Sequence, residues 1–577
     1  MTNKVLSARG FGVKRCDNGL ARFRLWAPAQ ETVSVSIESG GQLPMRRSAD
    51  GWFEATVAVP EGTRYRYRLS DGLMVPDPAS AVQAGDVHDA SVVETGAFVW
   101  KHPDWRGRKW TETVLYEVHA GIAGGFRGVR DDLARLKDLG VTAIELMPVN
   151  DFPGQRNWGY DGVLPYAPDS AYGSPNDLKE LVDTAHGLGL MMFLDVVYNH
   201  FGPDGNHLTA YAPGFFRDDV KTPWGPAVDF GRPEVRDYFT RNVLMWLMDY
   251  RFDGLRFDAV HAIPEQDWIE EMAAAVRTSV EPGRHVHLVL EHHNAASHLR
   301  KAVDAQWNDD GHNVLHVLLT GEDGGYYADY AHDPAVRLAR CLAEGWVYQG
   351  ERSDYLGAPR GEPSADLPPY AHVLFLQNHD QIGNRAFGER LTVLTSPVAL
   401  EAAIALQMLC PQIPLLFMGE ETASQSPFLF FTDHQGALAD EVREGRRQEF
   451  AGFAAFADPD RHTQIPDPNA VETFTASIPR PDPLLAAGRF ALYRRLIALR
   501  MQEIVPRLRG TVSAGAEAIG PKAVLARWRL GDGSRLTIVT NLGEEPVSFG
   551  MPAGRQLFAT GDKDRGPMTV AYLEGVA

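Results

Sequence analysis

Three carboxylates in this sequence stand where buried strands are predicted to end. Asp258 follows Leu255-Arg256-Phe257, Glu291 follows Leu288-Val289-Leu290, and Asp380 follows Asn378-His379. The carboxyl ends of parallel strands meet on one face of a sheet or barrel, so these acids are expected to share a cleft. Acids gathered in a cleft serve as nucleophiles and as general acids or bases. The pattern therefore predicts a catalytic centre.

The acids suit cleavage of a glycosidic bond with retention of configuration. In that reaction one carboxylate attacks the anomeric carbon, while a second carboxyl protonates the departing oxygen and later deprotonates water. Asp258 and Glu291, on neighbouring strands, meet this need. Arg256 lies two residues before Asp258, hence on the same side of the strand, and is expected to keep Asp258 ionised. Nearby acids and partial burial are expected to hold a proton on Glu291, and Asp380 to stabilise a cationic transition state.

Eight apolar runs that alternate with helical patterns supply the frame for these acids. The first precedes a helix over 132–139 that ends at Gly140, and the second precedes a helix with Ser174 as N-cap and Pro175 in its first turn. The runs are 114–118, 141–147, 190–197, 252–260, 285–293, 304–308, 372–380 and 414–420. Continuous apolar strands between helices predict an α/β fold, a closed (β/α)₈ barrel with its active site at the C-terminal strand ends.

Two β domains are predicted to flank the barrel. Alternating apolar and polar residues in 1–100, as in Ala21–Trp26, predict an immunoglobulin-like β-sandwich resembling a carbohydrate-binding module. Similar short runs return in 506–577, which leaves 101–505 for the barrel. The connections 309–371 and 421–485 are too long for simple turns and are expected to wall the substrate cleft.

Composition and charge exclude several classes of function. A chain of 577 residues with 44% hydrophobic and 23% charged residues is globular and long enough for about two to four domains. Its net charge of -19, without a long Lys/Arg run, argues against nucleic acid and anionic membranes as partners. Its three cysteines lack CxxC spacing, and its first ten residues lack an apolar leader. We therefore expect a cytoplasmic protein without a disulfide framework, and the sequence predicts no particular oligomeric state.

Histidine and aromatic residues near the strand ends are candidates for sugar binding. His200 and His379 each follow an Asn at a strand end, although a single histidine in such a place is more often a packed or capping residue. Trp158 and Tyr160 flank Gly159 in the loop after the second strand, where rings can stack on sugars or pack in the core. In this setting sugar binding is the favoured interpretation.

Four segments resemble the motifs of the α-amylase family of retaining glycoside hydrolases. They are 195–200, 254–261, the strand that ends at Glu291, and 377–380, in the family's order and spacing. The resemblance implies that Asp258 is the nucleophile, Glu291 the general acid/base and Asp380 the transition-state stabiliser. It also implies that a subsite for the attacked glucose is shaped by Arg256, His200, His379, Asp195 and Tyr160.

Further segments resemble members of this family that release trehalose. These are 156–163, 200–206, 258–263, 305–310, 380–385 and 417–421. The implied reaction is hydrolysis of the α-1,4-glucosidic bond next to the terminal trehalose of maltooligosyltrehalose, in trehalose biosynthesis from α-glucan. Additional candidates for substrate binding are Trp158, His261, Trp307, Asp309, Asp310, Gln381, Arg385 and Glu420. The segments His292-His293-Asn294 and Gly311-His312-Asn313 depart from the pattern, which affects local substrate contacts but not the chemistry.

No cofactor and no metal ion are predicted. Calcium sites of the family often use the Asn of the first motif, here Asn199, but one such residue is too little for a metal site.

Two other functions stay open from the sequence. Glycogen branching and debranching enzymes share the covalent intermediate and differ in acceptor access, so the acids alone do not exclude them. A noncatalytic glucan-binding protein is the alternative from another class. The complete set of three acids with Arg256 argues against it.

Overall fold

Eight parallel strands close into a barrel at the centre of the protein, which is seen here in a computed structural model. The structure describes residues 10–16, 19–38, 40–94, 97–222, 225–450, 463–561 and 565–576. The barrel strands are β1 (Leu115–Val118), β2 (Ala143–Leu146), β3 (Met191–Val196), β4 (Gly254–Phe257), β5 (His287–Leu290), β6 (Ala305–Trp307), β7 (His372–Phe375) and β8 (Ile413–Phe417). They pair in sequence order, and β8 closes onto β1. The predicted (β/α)₈ barrel is confirmed.

Helices follow the strands and cover the barrel. The longer α-helices are Gly125–Leu139, Pro175–Gly187, Pro233–Leu244, Asp267–Ser279, Ala296–Lys301, Asp309–Thr320, Pro334–Glu344, Pro397–Leu409, Gly436–Glu449, Val471–Ala476 and Ala486–Leu499. Shorter α-helical segments are Leu208–Tyr211, Ala328–Ala331, His379–Gly383 and Leu391–Leu394. Turns of 3₁₀-helix lie at Trp110–Glu112, Pro213–Phe215, Val260–Ala262, Gly325–Tyr327, Pro369–Ala371 and Val505–Arg507, and π-helical turns at Met245–Asp249 and Arg500–Ile504.

The predicted helix ends are largely confirmed. Gly140 ends the first helix in a left-handed conformation, with φ of 105°. Ser174 caps the second helix by accepting a hydrogen bond from Asp177 N, and the Asp177 carboxylate accepts one from the Ser174 backbone N–H. The first helix begins at Gly125 and not at 132, because Phe126 and Val129 add a further apolar turn that packs on the barrel.

Alternation of side chains along each strand divides the barrel interior into two layers. Leu115, Ala143, Phe193 and Val289 point inward near the start of their strands and form an apolar plug with Trp110. Two residues further along the strands, the inward positions are polar and charged, and they are Glu117, Glu145, Asp195, Arg256 and Glu291. The lower layer provides stability, and the upper layer carries the chemistry.

The N-terminal domain is a sandwich of two antiparallel sheets. One sheet contains Lys14–Arg15, Leu20–Trp26, Trp52–Ala58 and Arg46–Arg47; the other contains Gly41–Pro44, Ser34–Ile37, Arg64–Arg68, Met74–Val75 and Ser91–Val92. The rings of Phe23, Tyr65 and Tyr67 fill the space between the sheets. The predicted β-sandwich is confirmed.

The C-terminal domain is one five-stranded antiparallel sheet. Its strands are Val512–Gly520, Ala523–Arg529, Arg535–Asn541, Arg555–Ala559 and Met568–Glu574. The last sandwich strand ends at Val92 and β1 begins at Leu115, while the C-terminal sheet begins at Val512. The boundaries at 100 and 505 stay predictions.

The two long connections form walls above the barrel. The segment between β6 and β7 holds three of the α-helices and a hairpin of Arg352–Ser353 with Ala358–Pro359. Two further antiparallel pairs, Asn150–Asp151 with Leu164–Pro168 and Phe216–Thr222 with Gly225–Val228, follow β2 and β3. Residues 451–462, within the predicted wall 421–485, lie outside the described residues. Residues 1–9, to which the prediction about an apolar leader applies, also lie outside them. In the described ranges, no helix has the length and apolar character of a membrane span.

A test of the barrel interior uses Gly254, the first residue of β4. A methyl group built there would lie 2.1 Å from a ring carbon of Phe193, which packs across the apolar plug. We expect Gly254→Ala to lower the free energy of unfolding by about 1–3 kcal/mol, because overpacking displaces the ring. Urea unfolding measures this change.

The matched control is Gly488→Ala in the helix Ala486–Leu499, where an added methyl meets nothing within 4 Å. That variant should be neutral, or more stable by up to about 1 kcal/mol. Equal effects of the two substitutions would contradict the packing of Phe193 against Gly254.

Candidate active site

Arg256 lies at the centre of the polar layer and contacts three carboxylates. Its side chain is fully buried, and Nη1 donates to Asp195 Oδ2 at 2.6 Å and to Asp258 Oδ1 at 2.9 Å. Nη2 donates to Glu291 Oε2 at 2.5 Å. The guanidinium packs 4.1 Å from the ring centre of Trp307. One cation thus fixes the relative positions of acids from β3, β4 and β5.

A second donor orients Asp258. Asn199 Nδ2 lies 2.8 Å from Asp258 Oδ2 and 3.0 Å from the Asp258 backbone oxygen. Each carboxylate oxygen therefore has its own partner, Oδ1 on Arg256 and Oδ2 on Asn199. Such a carboxylate has a fixed orientation, which a nucleophile needs.

Glu291 is held by one of its two oxygens. Oε2 accepts hydrogen bonds from Arg256 and from the Ala259 backbone N–H, the latter at 2.8 Å. Ala259 has φ of 40°, and this left-handed turn directs its N–H towards Glu291. In the described part of the chain these bonds all go to Oε2, which leaves Oε1 for a bound molecule.

Arg256 and burial act in opposite directions on the protonation of Asp258 and Glu291. Burial, and then the charge of Glu291, raise the pKa of Asp258 well above its usual range. Burial alone would raise the pKa of Glu291 as well, but the Arg256 guanidinium lowers it to about 2. Arg256 reaches beyond Asp258 to Glu291 and opposes protonation there, so the protonated state of Glu291 stays a prediction. Burial and the neighbouring carboxylates favour one shared proton on the pair formed by Asp258 and Glu291.

His379 carries a positive charge beside Asp380. Burial opposes this charge, but Glu117 and then Asp380 raise the pKa of His379 to about 9. Nδ1 of His379 lies 2.5 Å from Glu117 Oε1, and Nε2 lies 2.8 Å from the Tyr160 hydroxyl. That hydroxyl donates to Asp195 Oδ2 at 2.6 Å. A chain of hydrogen bonds thus joins β1, β7 and β3 beneath the acids.

Two adjoining cavities open above these residues and share Glu291, His261 and Asp380. The first, of about 430 Å³, is lined by Asp258 and by the predicted sugar-binding residues Trp158, Tyr160 and His200. Burial lowers the pKa of His200 to about 4, so its ring is neutral at pH 7.

The second cavity, of about 250 Å³, is lined by Glu291 but not by Asp258. Asp309, Gln381 and Arg360 line it. Burial, and then the charge of Glu291, raise the pKa of Asp309 to about 8, so this side chain can donate a hydrogen bond at neutral pH.

The two predicted tryptophans differ in position. Trp158 lines the first cavity while it stacks on Phe428 at 5.3 Å and donates to the Leu429 backbone oxygen. Trp307 lies beneath Arg256 and is only 1% exposed, so its ring does not reach either cavity.

Four further predicted binding residues do not line the cavities. Asp195 is buried against Arg256 and Tyr160. Asp310 accepts hydrogen bonds from the backbone of 347–348 and pairs with Arg360. Arg385 pairs with Glu322, and Glu420 accepts hydrogen bonds from Phe417 N and the Tyr493 hydroxyl. These contacts engage the side chains with neighbouring protein groups, and their part in substrate binding stays a prediction. Asp195 and Asp310 contact Arg256 and Arg360.

Sequence reasoning missed two residues that position the acids. Glu117 holds His379, and its only sequence signal was an acid in the otherwise apolar run 114–118. Asn199 was considered only as a calcium ligand, whereas here it orients Asp258. Within the described residues, no group of three or more His, Cys, Asp or Glu side chains is arranged to hold a metal ion.

Family models match all three parts of the chain. Residues 94–211 match "Alpha amylase, catalytic domain", and residues 10–76 match "Carbohydrate-binding module 48 (Isoamylase N-terminal domain)". Residues 513–574 match a domain of unknown function, DUF3459. This order agrees with a barrel between two β domains.

Relatives extend the similarity to nearly the whole chain. The malto-oligosyltrehalose trehalohydrolase of Deinococcus radiodurans is 41% identical over 543 residues, which cover 91% of this chain and 88% of that protein. The chain belongs to the malto-oligosyltrehalose trehalohydrolase family. The trehalohydrolase of Rhizobium sp. is 38% identical and covers 95% of each chain.

Two other similarities complete the comparison. The crystal structure of a Salmonella typhimurium protein described as an alpha amylase superposes with a TM-score of 0.93, at 41% identity, over 98% of this trehalohydrolase-family chain and 100% of its own. A 1,4-alpha-glucan branching enzyme from Pseudoalteromonas atlantica is 31% identical over 299 residues, which cover 46% of this chain and 41% of that enzyme. The similarity to the Salmonella protein thus extends over the whole fold, whereas the similarity to the branching enzyme covers less than half of either chain.

The contact between Glu117 and His379 can be tested through its pH dependence. The pKa of His379 is raised from 6.5 to about 9, so the contact stabilises the fold fully below pH 6.5, and this contribution is lost as the pH rises through about 9. We expect Glu117→Gln to lower the free energy of unfolding by about 1–3 kcal/mol at pH 6, and by much less at pH 10. Urea unfolding at both pH values measures the difference.

Asp138→Asn is the control, because Asp138 is exposed and pairs with Arg494 at the surface. Its effect should stay within about 0.5 kcal/mol at both pH values. If Glu117→Gln lowered the free energy of unfolding equally at pH 6 and pH 10, the result would contradict a stabilising contact between Glu117 and a charged His379.

Proposed function

We propose that this chain hydrolyses the α-1,4-glucosidic bond next to the terminal trehalose of maltooligosyltrehalose, releases trehalose and retains configuration. The observation that carries the proposal is the contact of Arg256 with both Asp258 and Glu291 in a member of the trehalohydrolase family. Two carboxyls on one guanidinium lie close enough to act on one bond, as retaining enzymes require at roughly 5–5.5 Å. We further propose that the enzyme acts in the cytoplasm, in trehalose formation from α-glucan.

In the first step Asp258 attacks the anomeric carbon of a glucose held in the first cavity. Arg256 and Asn199 fix the two oxygens of Asp258, so the attacking orbital is already directed. Asp380, which lies 3.5 Å from the charged His379 ring, stabilises the developing oxocarbenium charge from the cavity side in its ionised form. Tyr160 and His200 line this glucose subsite and offer ring faces to the sugar.

The proton needed by the leaving oxygen comes from the pair of Asp258 and Glu291. Substrate binding moves this proton from Asp258 to Glu291, because a glycosidic oxygen next to Oε1 accepts a hydrogen bond while the anomeric carbon favours an ionised Asp258. Glu291 then protonates the departing trehalose. It next takes a proton from water, which attacks the ester formed with Asp258. This step leaves Asp258 ionised and Glu291 protonated, and the proton is again shared by the pair when the product leaves.

The second cavity receives the leaving group. It contains Glu291 but not Asp258, so it lies on the acid's side of the bond that breaks. Neutral Asp309, together with Gln381 and Arg360, offers donors and acceptors to sugar hydroxyls. This chain thus binds glucan in the first cavity and trehalose in the second.

Glycogen branching is the second candidate, supported by the partial similarity to a branching enzyme. That reaction uses the same covalent intermediate but passes the chain to a sugar hydroxyl and not to water. The absence of catalysis, as in a noncatalytic glucan-binding protein, fits poorly with the complete set of acids held by Arg256.

Product analysis separates these functions. With maltooligosyltrehalose, maltooligosaccharide and branched glucan as substrates, we expect free trehalose from the first at a kcat/KM that is at least about tenfold higher than for cleavage of the others, since only its leaving group is trehalose. Chromatography of the products measures this preference. Absence of trehalose release, or the appearance of new branch points, would overturn the proposed function.

Substitution of the acids tests their roles. We expect Asp258→Asn and Glu291→Gln each to lower kcat by roughly 10³-fold or more, because each removes one covalent or proton-transfer step. Steady-state trehalose release measures the loss, with Asp138→Asn as a control that leaves the rate unchanged. Hydrolysis at the normal rate by either variant would remove that residue from its role.

A further inference from the structure

An exposed aromatic side chain stands at the rim of the second cavity. The hairpin of Arg352–Ser353 and Ala358–Pro359 presents Tyr355 and Leu356 at its turn. Tyr355 is 60% exposed, more than any other aromatic side chain in the described ranges, and Leu356 is 41% exposed. An exposed ring next to an exposed aliphatic side chain is costly in water and indicates a contact surface.

The turn is held in place without help from the Tyr355 ring. The buried Ser353 hydroxyl donates to Asp329 Oδ2, and Asp329 Oδ1 accepts from the Tyr355 backbone N–H at 3.1 Å. The Ser353 oxygen also accepts from the Leu356 backbone N–H. The Tyr355 ring makes an edge contact with Tyr326, with 6.1 Å between the ring centres. The backbone thus fixes the position of the ring, and the ring is free to bind.

The surroundings of the ring match a sugar. Tyr355, Tyr326 and Leu356 form an apolar part of the cavity lining, while Asp309, Arg360 and Gln381 provide polar groups. A pyranose has the same two sides, an apolar face of C–H groups and a rim of hydroxyls. Aromatic rings gain most from the apolar face, and charged or amide groups from the hydroxyls.

The two glucose units of a leaving disaccharide lie at different depths in the second cavity, and Tyr355 lies near the outer one. The first unit is bonded to the oxygen that Glu291 protonates, so it lies beside Glu291 deep in the cavity. The second unit lies further from the broken bond, towards the exposed hairpin turn. In trehalose this unit is attached by an α,α-1,1 linkage and leaves in another direction than the next unit of an α-1,4 chain. A ring at the rim can therefore contact one of the two disaccharides and miss the other.

We propose that Tyr355 is a specificity-determining residue that stacks on the outer glucose of the α,α-1,1-linked leaving group. The inference rests on the proposed function. Stacking is made equally in the bound substrate and in the transition state, so it acts on KM and not on kcat. Tyr355 therefore selects the substrate without taking part in the bond changes.

Substrate kinetics of Tyr355→Ala test this role. On maltooligosyltrehalose we expect kcat/KM to fall about tenfold through a higher KM. A loss of this size corresponds to one aromatic contact. On a maltooligosaccharide of equal length the loss should be less than about twofold, because its leaving group lacks the 1,1 linkage. Tyr355→Phe keeps the ring and should match the wild type on both substrates. Leu484→Ala, at an exposed apolar residue that lines neither cavity, is the matched control.

Binding of free trehalose gives a second readout that needs no turnover. Calorimetry should show about tenfold weaker binding to Tyr355→Ala than to the wild type, and unchanged binding to Tyr355→Phe. Equal losses on both substrates, or unchanged trehalose binding in Tyr355→Ala, would overturn the inference. If the wild type releases no trehalose, the proposed function fails; if it does and Tyr355→Ala behaves like the wild type, the inference alone fails.

Discussion

The buried positive charge of Arg256 is the interaction on which the site depends. An isolated guanidinium inside the barrel would be strongly unfavourable, and Asp195, Asp258 and Glu291 compensate its charge. The same contacts hold Asp258 and Glu291 on one shared cation, at 2.9 and 2.5 Å. Removal of any one partner would leave the others with an unbalanced charge in a dry layer. Stability and catalytic geometry are therefore set by one group of contacts.

A second buried layer of charge supports the first. Glu117, His379, Tyr160 and Asp195 form a hydrogen-bonded chain that crosses the barrel and ends on Arg256. This chain links Glu117 of β1 and Asp195 of β3 through side chains that follow β2 and β7. Asp258 and Glu291 thus lie on a network that fixes their orientation, and such preorganisation reduces the rearrangement that a reaction needs.

The barrel and the acids were predictable because they follow local rules. Strand alternation placed Arg256 and Asp258 on one side, and strand ends placed the three acids on one face. The supporting contacts were not predictable, since Glu117 and His379 are 262 residues apart and meet only when β8 closes on β1. Trp307 and Asp310 were predicted to bind substrate, because the size or polarity of a residue at a strand end does not reveal how deeply its side chain is buried. Their burial beneath Arg256 and Arg360 depends on tertiary packing.

The hairpin above the second cavity is fastened on both sides of its turn. Gly350 and Glu351 exchange backbone hydrogen bonds with Arg360, and Glu362 N donates to the Asn294 backbone oxygen. Further back, Asp310 holds the backbone of residues 347–348. The segment 352–359 is thus an insert between two anchored stems, and its length and composition can vary while the barrel stays intact. This makes it a natural position for loop exchange, by which evolution or an engineer can fit one catalytic barrel to leaving groups of different shape.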